Sequence, residues 1–333
     1  MARGIIASGL RKAFRIPRGL FGPRTEKVAV DGLSLVIPPG RVTGLLGLNG
    51  AGKTSTIKMM ATLLRPTSGT ITVDGLDTVT DARAVRRRIN LIAGGERMVY
   101  AQLTGRENLH YFGRLYGLPG GVRQQRSEEL LDLVGLSDAA DTVVERYSRG
   151  MAQRLSIARG LINDPEYLLL DEPTLGLDAP IARDLRQVVA KLVRNGKGVL
   201  LTSHYLAEVE ELCEHVYVIA AGRHLTEGSP AMLTAGAGCH KTVTVAVPNP
   251  SAEVAAAVTQ FAARISASVA EERRDDGTLV VSLVHPDEIA GPLVTAIVAA
   301  GGAIIDLTVT NPSLEDAILA IADGAHPPVG VAS

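Results

Sequence analysis

The chain has 333 residues, a formal net charge of −1, 46% apolar residues and two cysteines. That length suits one large domain plus a smaller one, and the apolar share excludes a disordered chain. The balanced charge lacks the basic excess that a nucleic-acid partner brings, and Cys213 and Cys239, without CxxC spacing, suit reduced thiols better than a disulfide framework or a zinc site.

In chain order, Gly4–Ile37 reads as strands interrupted by an exposed insertion, Arg15–Arg24, rich in Arg, Gly and Pro. Val42–Leu46 is a short apolar strand, a glycine-rich loop follows it, and Thr54–Leu64 continues with helical spacing. Thr70–Val73 and Ile89–Ala93 are further strands. Leu103–Leu136 is helical in pattern, and a helix beginning near Met151 is expected to end at Pro165. Tyr167–Asp171 is a continuous apolar run of the kind buried on both faces. Ile181–Val193 (helix), Val199–Thr202 (strand), Leu206–Leu212 (helix) and Val216–Ala220 (strand) complete an alternation that predicts a mainly parallel sheet covered on both sides.

Beyond about Pro230 the composition shifts to Ala, Val and Gly. Strands are expected at Thr242–Val247, Thr278–Leu283 and Ala303–Thr310, with helices at Val254–Ser266, Glu288–Ala300 and Leu314–Ile321. This is a second, small α/β domain without an obvious catalytic cluster, followed by a loose tail at His326–Ser333. The uncharged stretch Ile289–Ile305 approaches membrane-spanning length, but Pro292 and Gly301-Gly302 divide it into core pieces of that domain. No secretory signal is read at the start of the chain. A soluble protein is expected, with any membrane role supplied by a partner.

Two segments carry chemistry. Gly47-Leu48-Asn49-Gly50-Ala51-Gly52-Lys53-Thr54 matches G-x-x-x-x-G-K-[ST] between a predicted strand and a predicted helix. Its glycines let the backbone wrap phosphate oxygens, and the helix N-terminus through Ser55 adds its positive dipole end. Lys53 is placed to reach the β- and γ-phosphates, and the Thr54 hydroxyl to ligate Mg²⁺. Leu168-Leu169-Leu170-Asp171-Glu172 sets two carboxylates at the exit of a buried strand on the edge of the same sheet. Asp171 would hold Mg²⁺, and Glu172 would polarise water as general base. His204 follows another apolar strand; a lone histidine there is either structural or placed to hydrogen-bond a γ-phosphate or orient water, and its position after the acidic strand favours the second.

These motifs, in this order over about Gly4–Pro230, resemble the ATP-binding subunit of ABC transporters. Tyr147-Ser148-Arg149-Gly150-Met151, followed by Ala152-Gln153-Arg154, resembles that family's signature motif. Leu175-Gly176-Leu177-Asp178 resembles its D-loop, and His204 its switch histidine. The resemblance implies an α/β P-loop NTPase domain of ABC type over 1–230, with a helical signature subdomain over about 96–160. It leaves 231–325 as the small C-terminal α/β domain and 326–333 as tail. It also implies two such domains paired head to tail, as a homodimer or with a paralogous subunit. Each ATP would lie between one chain's phosphate loop and the other's Ser148, Arg149, Gly150 and Met151. Ser148 also fits an ordinary helix cap.

Further expectations come from the same resemblance. Phe14 resembles the aromatic that stacks on adenine, the alternative being a core phenylalanine. The family's Gln after the strand Ile89–Ala93 is here Gly95, which offers no metal ligand; Glu96 is the candidate substitute, or water. Leu103–Leu109 resembles the region where a membrane subunit docks. The YSRGM form, that segment and the C-terminal domain ending near Asn311-Pro312-Ser313-Leu314-Glu315-Asp316 are similar to the type 2, drug-resistance-like exporter branch. Its members hydrolyse ATP at the cytoplasmic face of the membrane through a separate integral permease. The alternatives are an importer subunit and, because of Gly95, a weakly hydrolysing or regulatory nucleotide-binding protein. Superfamily members of translation or DNA repair carry two ATP-binding domains or long coiled coils, and neither pattern occurs in this sequence.

Overall fold

A computed structural model describes residues 3–17, 24–94, 99–203, 205–236, 241–310 and 313–322. The chain separates into two compact units, Met1–Pro230 and Ala231–Ser333.

The first unit opens with the antiparallel hairpin β1 (Ile5–Pro17) and β2 (Arg24–Ile37). β3 (Val42–Leu46), α1 (Lys53–Met60), β4 (Ser68–Val73), β5 (Leu76–Asp77), α2 (Ala82–Arg88) and β6 (Ile89–Ala93) follow. A helical stretch comes next: α3 (Gly105–Leu115), α4 (Gly120–Leu133), two short 3₁₀ turns and α5 (Arg149–Gly160). The chain then alternates through β7 (Tyr167–Asp171), α6 (Ala179–Arg194), β8 (Gly198–Thr202), α7 (Leu206–Leu212), β9 (His215–Ala220) and β10 (Arg223–Gly228).

Two sheets result. β2-β1-β4-β5 is antiparallel, and β10-β9-β3-β8-β7-β6 is parallel except for its β10 edge. A single apolar cluster takes Ile5, Leu10, Leu33 and Ile71 from the first sheet, Leu45, Leu169 and Leu200 from the second, and Ile57, Met59 and Met60 from α1. Leu168, Leu169 and Leu170 are at most 2% exposed. At about 2 kcal/mol for each buried Leu side chain, they pin β7 in place and so fix where Asp171 and Glu172 emerge. The Tyr167 hydroxyl donates to Asp74 Oδ1 at 2.7 Å, and Arg88 pairs with Asp74 Oδ2 at 3.1 Å, tying the β4–β5 turn to the start of β7.

Several expectations change. The predicted insertion Arg15–Arg24 is partly strand: Arg15, Ile16 and Pro17 pair with Glu26, Thr25 and Arg24, so the hairpin ladder outruns its composition. Residues 18–23 lie outside the described set. Leu103–Leu136 is two helices, because Gly117 takes a left-handed φ of 77° and Pro119 stands at the next N-cap without an N–H. Thr104 and Glu107 form a reciprocal capping box at the start of α3. α5 ends at Gly160, ahead of Pro165. The antiparallel sheet and the β10 edge strand were not anticipated.

α8 (Pro230–Gly236) starts on the last residue of the first unit, and the second unit continues with β11 (Lys241–Val247), α9 (Ala252–Ile265), β12 (Ser268–Arg273), β13 (Leu279–His285), α10 (Ala290–Ala299), β14 (Asp306–Thr310) and α11 (Leu314–Ala322). From β11 to β14 this is a βαββαβ run with antiparallel sheet order β12-β13-β11-β14, the split βαβ arrangement. Val243, Val245, Val247, Val281 and Leu283 face Val254, Val258, Phe261, Leu293 and Ile297 in one core. Ile289–Ile305 contributes α10 and the turn after it. Among the described residues, no helix is long and apolar enough to cross a membrane. The expected tail and Asn311-Pro312 lie outside the described residues.

Candidate active site

The strand order decides the site. β3, β8, β7 and β6 are consecutive parallel neighbours, so their C-terminal ends lie along one sheet edge. Gly47 follows β3, Ser203 follows β8, Glu172 follows β7 and Gly94 follows β6. In open α/β sheets this edge is where ligands bind.

At the phosphate loop, a Cβ added to Gly47 would overlap the Ile219 carbonyl oxygen, and one at Gly52 the Ala29 carbonyl oxygen. Gly52 holds φ 106° at the N-cap of α1 and supplies no side-chain cap. The first N–H groups of α1 therefore keep no intrahelical partner and lack a side-chain acceptor from the cap, which favours an anion there. Thr54 is exposed and Ser55 half-buried. Lys53 is 6% exposed, and its Nζ donates to Gly47 O at 2.6 Å and to Leu48 O at 3.4 Å. Burial pulls the Lys53 pKa below the usual lysine value, opposed by the charges of Glu172 and Asp171. The lysine and the two carboxylates thus share one electrostatic neighbourhood.

Asp171 closes β7, and Thr202 Oγ1 donates to its Oδ1 at 2.7 Å. The Glu172 N–H donates to Thr202 O at 3.0 Å, and its φ is +52°, a left-handed conformation that a non-glycine residue adopts at a cost. This holds the half-buried Glu172 at a sharp turn out of the sheet. Gly94 N donates to Asp171 O at 2.8 Å, and an added Cβ on Gly94 would overlap the Glu172 carbonyl oxygen. Thr202 and Gly94 were missed as site residues. The only sequence signal for Gly94 was a glycine directly after an apolar strand.

The oxygens of Thr54 and Asp171 are hard donors, the set that suits Mg²⁺, and the cradle has room for backbone only at Gly47 and Gly52. These residues fit a magnesium-bound phosphate. His204, Gly95 and Glu96 lie outside the described residues.

Ser148 is the N-cap of α5 and accepts from Met151 N at 3.2 Å, so the helix-cap reading holds. A hydroxyl acting as cap acceptor still has its proton to donate. Ser148 and Arg149 are exposed, while Gly150 is buried, where a Cβ would overlap the Ile181 side chain. Ser148, Arg149 and Gln153 share a cavity of about 450 Å³ with Leu175, Gly176 and Leu177. The signature stretch and the D-loop stretch thus come together, and no residue of 47–55 lines that cavity. Asp178 is exposed at the N-cap of α6. Phe14 is exposed, not in the core, with Lys12 Nζ 5.2 Å from its ring centroid.

Comparison with known proteins places these features in context. A family model described as ABC transporter matches residues 30–175. The ABC transporter ATP-binding protein NatA of Bacillus subtilis (strain 168) is 44% identical over 201 residues, 60% of this chain and 82% of that protein. The daunorubicin/doxorubicin resistance ATP-binding protein DrrA of Streptomyces peucetius is 43% identical over 236 residues, 71% of this chain and 68% of that protein. Nod factor export ATP-binding protein I of Burkholderia pseudomallei (strain K96243) is 42% identical over 216 residues, 64% and 70% of the two chains. Among solved structures, an ATP-binding subunit of an ABC transporter superposes with TM-score 0.60 at 26% identity, covering 70% of this chain and 93% of that one. A dimeric ATP-binding cassette in a post-hydrolysis state with ADP and Pi superposes with TM-score 0.60 at 24% identity, covering 68% and 98%.

Proposed function

The chain belongs to the ABC transporter family as an ATP-binding subunit, an ATPase that drives transport, and from that premise we propose that it works as a head-to-tail pair exporting cargo through a separate membrane permease. One observation carries the pairing. The phosphate loop, Asp171 and Glu172 share one sheet edge, whereas Ser148 and Arg149 open on a cavity that contains none of the loop. A second copy turned about a twofold axis would bring its Ser148, Arg149, Gly150 and Met151 to the first copy's phosphate loop.

In this reading the N–H groups of the loop and of α1 hold the phosphates of ATP, and Lys53 exchanges its two loop carbonyls for phosphate oxygens. Thr54 and Asp171 hold Mg²⁺, which when bound neutralises charge on the β- and γ-phosphates. Glu172 takes a proton from the attacking water at its carboxylate. The exposed Phe14 ring stacks on adenine, displacing Lys12 from its face. The partner's Ser148 hydroxyl and the N-terminus of its α5 close over the γ-phosphate.

Trans-complementation tests the pairing. Lys53→Ala and Ser148→Arg are each expected to abolish hydrolysis alone. Mixing the two restores it, because a mixed pair retains one composite site with both elements intact. A mixture as inactive as its components would overturn the head-to-tail arrangement.

Export rests on the similarity to proteins named for resistance and export. The permease is proposed to dock on the helical stretch. There Tyr100 (46% exposed) and Tyr111 (38%) stand with ring centroids 4.9 Å apart, and Phe112 packs at 5.4 Å from Tyr111 under Arg159. An exposed aromatic cluster of this kind is a typical interface anchor. The chain would then sit at the cytoplasmic face of the membrane through its permease. Tyr100→Ala with Tyr111→Ala is expected to lose copurification with the permease while nucleotide affinity stays at the wild-type value. Unchanged copurification would move the docking surface elsewhere.

A further inference from the structure

Glu208, on α7, is a buried carboxylate that the proposed hydrolysis does not use. It is 3% exposed, and its Oε2 accepts from two hydroxyls: Thr174 Oγ1 at 2.9 Å and Ser203 Oγ at 2.8 Å. Both donors are as buried as the acceptor, at 3% and 4% exposure. Its other oxygen faces Arg186 Nη1 at 3.7 Å, and Arg186 also pairs with Glu211 at 2.7 Å. Ser203 Oγ in turn accepts from Tyr205 N at 2.9 Å.

The partners come from three segments. Thr174 sits two residues after Glu172 and four before Asp178. Ser203 directly precedes His204 in sequence. Arg186 lies on α6, the helix that Asp178 opens. A single carboxylate oxygen therefore joins the turn leaving β7 to the turn leaving β8, and an arginine on α6 offsets its charge. Removing it would strand the buried Thr174 hydroxyl and leave the Ser203 hydroxyl only the longer 3.4 Å bond to Tyr205 O, so the tie is costly to break.

We propose that Glu208 is a positioning residue that holds the Glu172–Asp178 turn and the Ser203 turn as one body, so that the proposed base keeps a fixed register against the end of β8 through turnover. This deepens the ATPase reading and rests on it. A loosened tie would let Glu172 drift from its attack geometry without disturbing the phosphate loop, which hangs on β3. It would therefore cost kcat and spare KM.

The test compares full-length wild type with Glu208→Ala, Glu208→Gln, Thr174→Val and Ser203→Ala. Glu208→Ala is expected to lower kcat for ATP about tenfold or more, with KM held within about twofold. Glu208→Gln recovers most of the rate, because its amide oxygen still accepts both hydroxyls. Adding Thr174→Val or Ser203→Ala to Glu208→Ala gives no further loss, since a broken tie cannot be broken again. In parallel, amide hydrogen exchange in Glu208→Ala should speed up in 173–178 and 203–206 together. That readout needs no hydrolysis and covers the case in which a variant's rate reflects poor folding. An unchanged kcat, a matching rise in KM, multiplying effects in the double variants, or exchange changes confined to α7 would each overturn the proposal. Absence of Glu172-dependent hydrolysis in wild type would strike the ATPase reading instead, and the exchange measurement would still decide the tie.

Discussion

Glu172→Gln is expected to lower ATP turnover by about a hundred- to ten-thousand-fold, the range for a lost general base, while nucleotide binding persists. The amide keeps the size and polarity of the carboxylate, so the left-handed turn and its bond from the Glu172 N–H to Thr202 survive. What disappears is the group that takes the water proton. Lys53 also loses one of the two negative charges that oppose its burial, so a small weakening of its ammonium is expected beside the large kinetic effect. Bound ATP should then persist, and the closed pair accumulate by light scattering in ATP and Mg²⁺. Equal steady-state rates in the two proteins would remove Glu172 from its proposed role.

Gly94→Ala should act on the same carboxylate from the neighbouring strand. The new methyl overlaps the Glu172 carbonyl oxygen, a backbone atom with no rotamer to escape into. Either β6 or the turn after β7 must shift. Overpacking of this kind costs about 1–3 kcal/mol, visible as a lowered melting temperature. A displacement near 1 Å at the base costs on the order of a hundredfold in turnover. The phosphate loop hangs on β3, two strands away from β7, so nucleotide affinity should change far less than kcat. Wild-type turnover together with wild-type stability in Gly94→Ala would mean that the contact carries no functional weight.

Much of the candidate site was legible in the chain, and particular residues show why. Gly47–Thr54 reads as strand, loop and helix because its requirements are local: a buried run, glycines where a Cβ meets backbone, and a lysine one residue into the helix. Leu168–Leu170 reads as a strand buried on both faces for the same reason. Ser148 was legible as a cap because its hydroxyl answers to Met151, three residues away. Other elements were not legible. β12, Ser268-Val269-Ala270-Glu271-Glu272-Arg273, is exposed throughout and lacks an alternating apolar face; it is a strand because β13 pairs with it. β10 likewise takes its strand form from β9. Gly117 and Pro119 split a helical pattern whose apolar spacing alone runs on.

By itself, then, the sequence determined which segments carry phosphate chemistry and in what order, since capping, glycine wrapping and strand burial are decided within a few residues. Only the tertiary structure decided what those segments touch. Parallel pairing of β3, β8, β7 and β6 sets Lys53, Asp171 and Glu172 in one neighbourhood, puts Gly94 against the Glu172 carbonyl, and gathers Thr174, Ser203 and Arg186 around Glu208. Those groupings join residues as far as 119 positions apart, Lys53 to Glu172, and no local spacing rule reaches across such a separation.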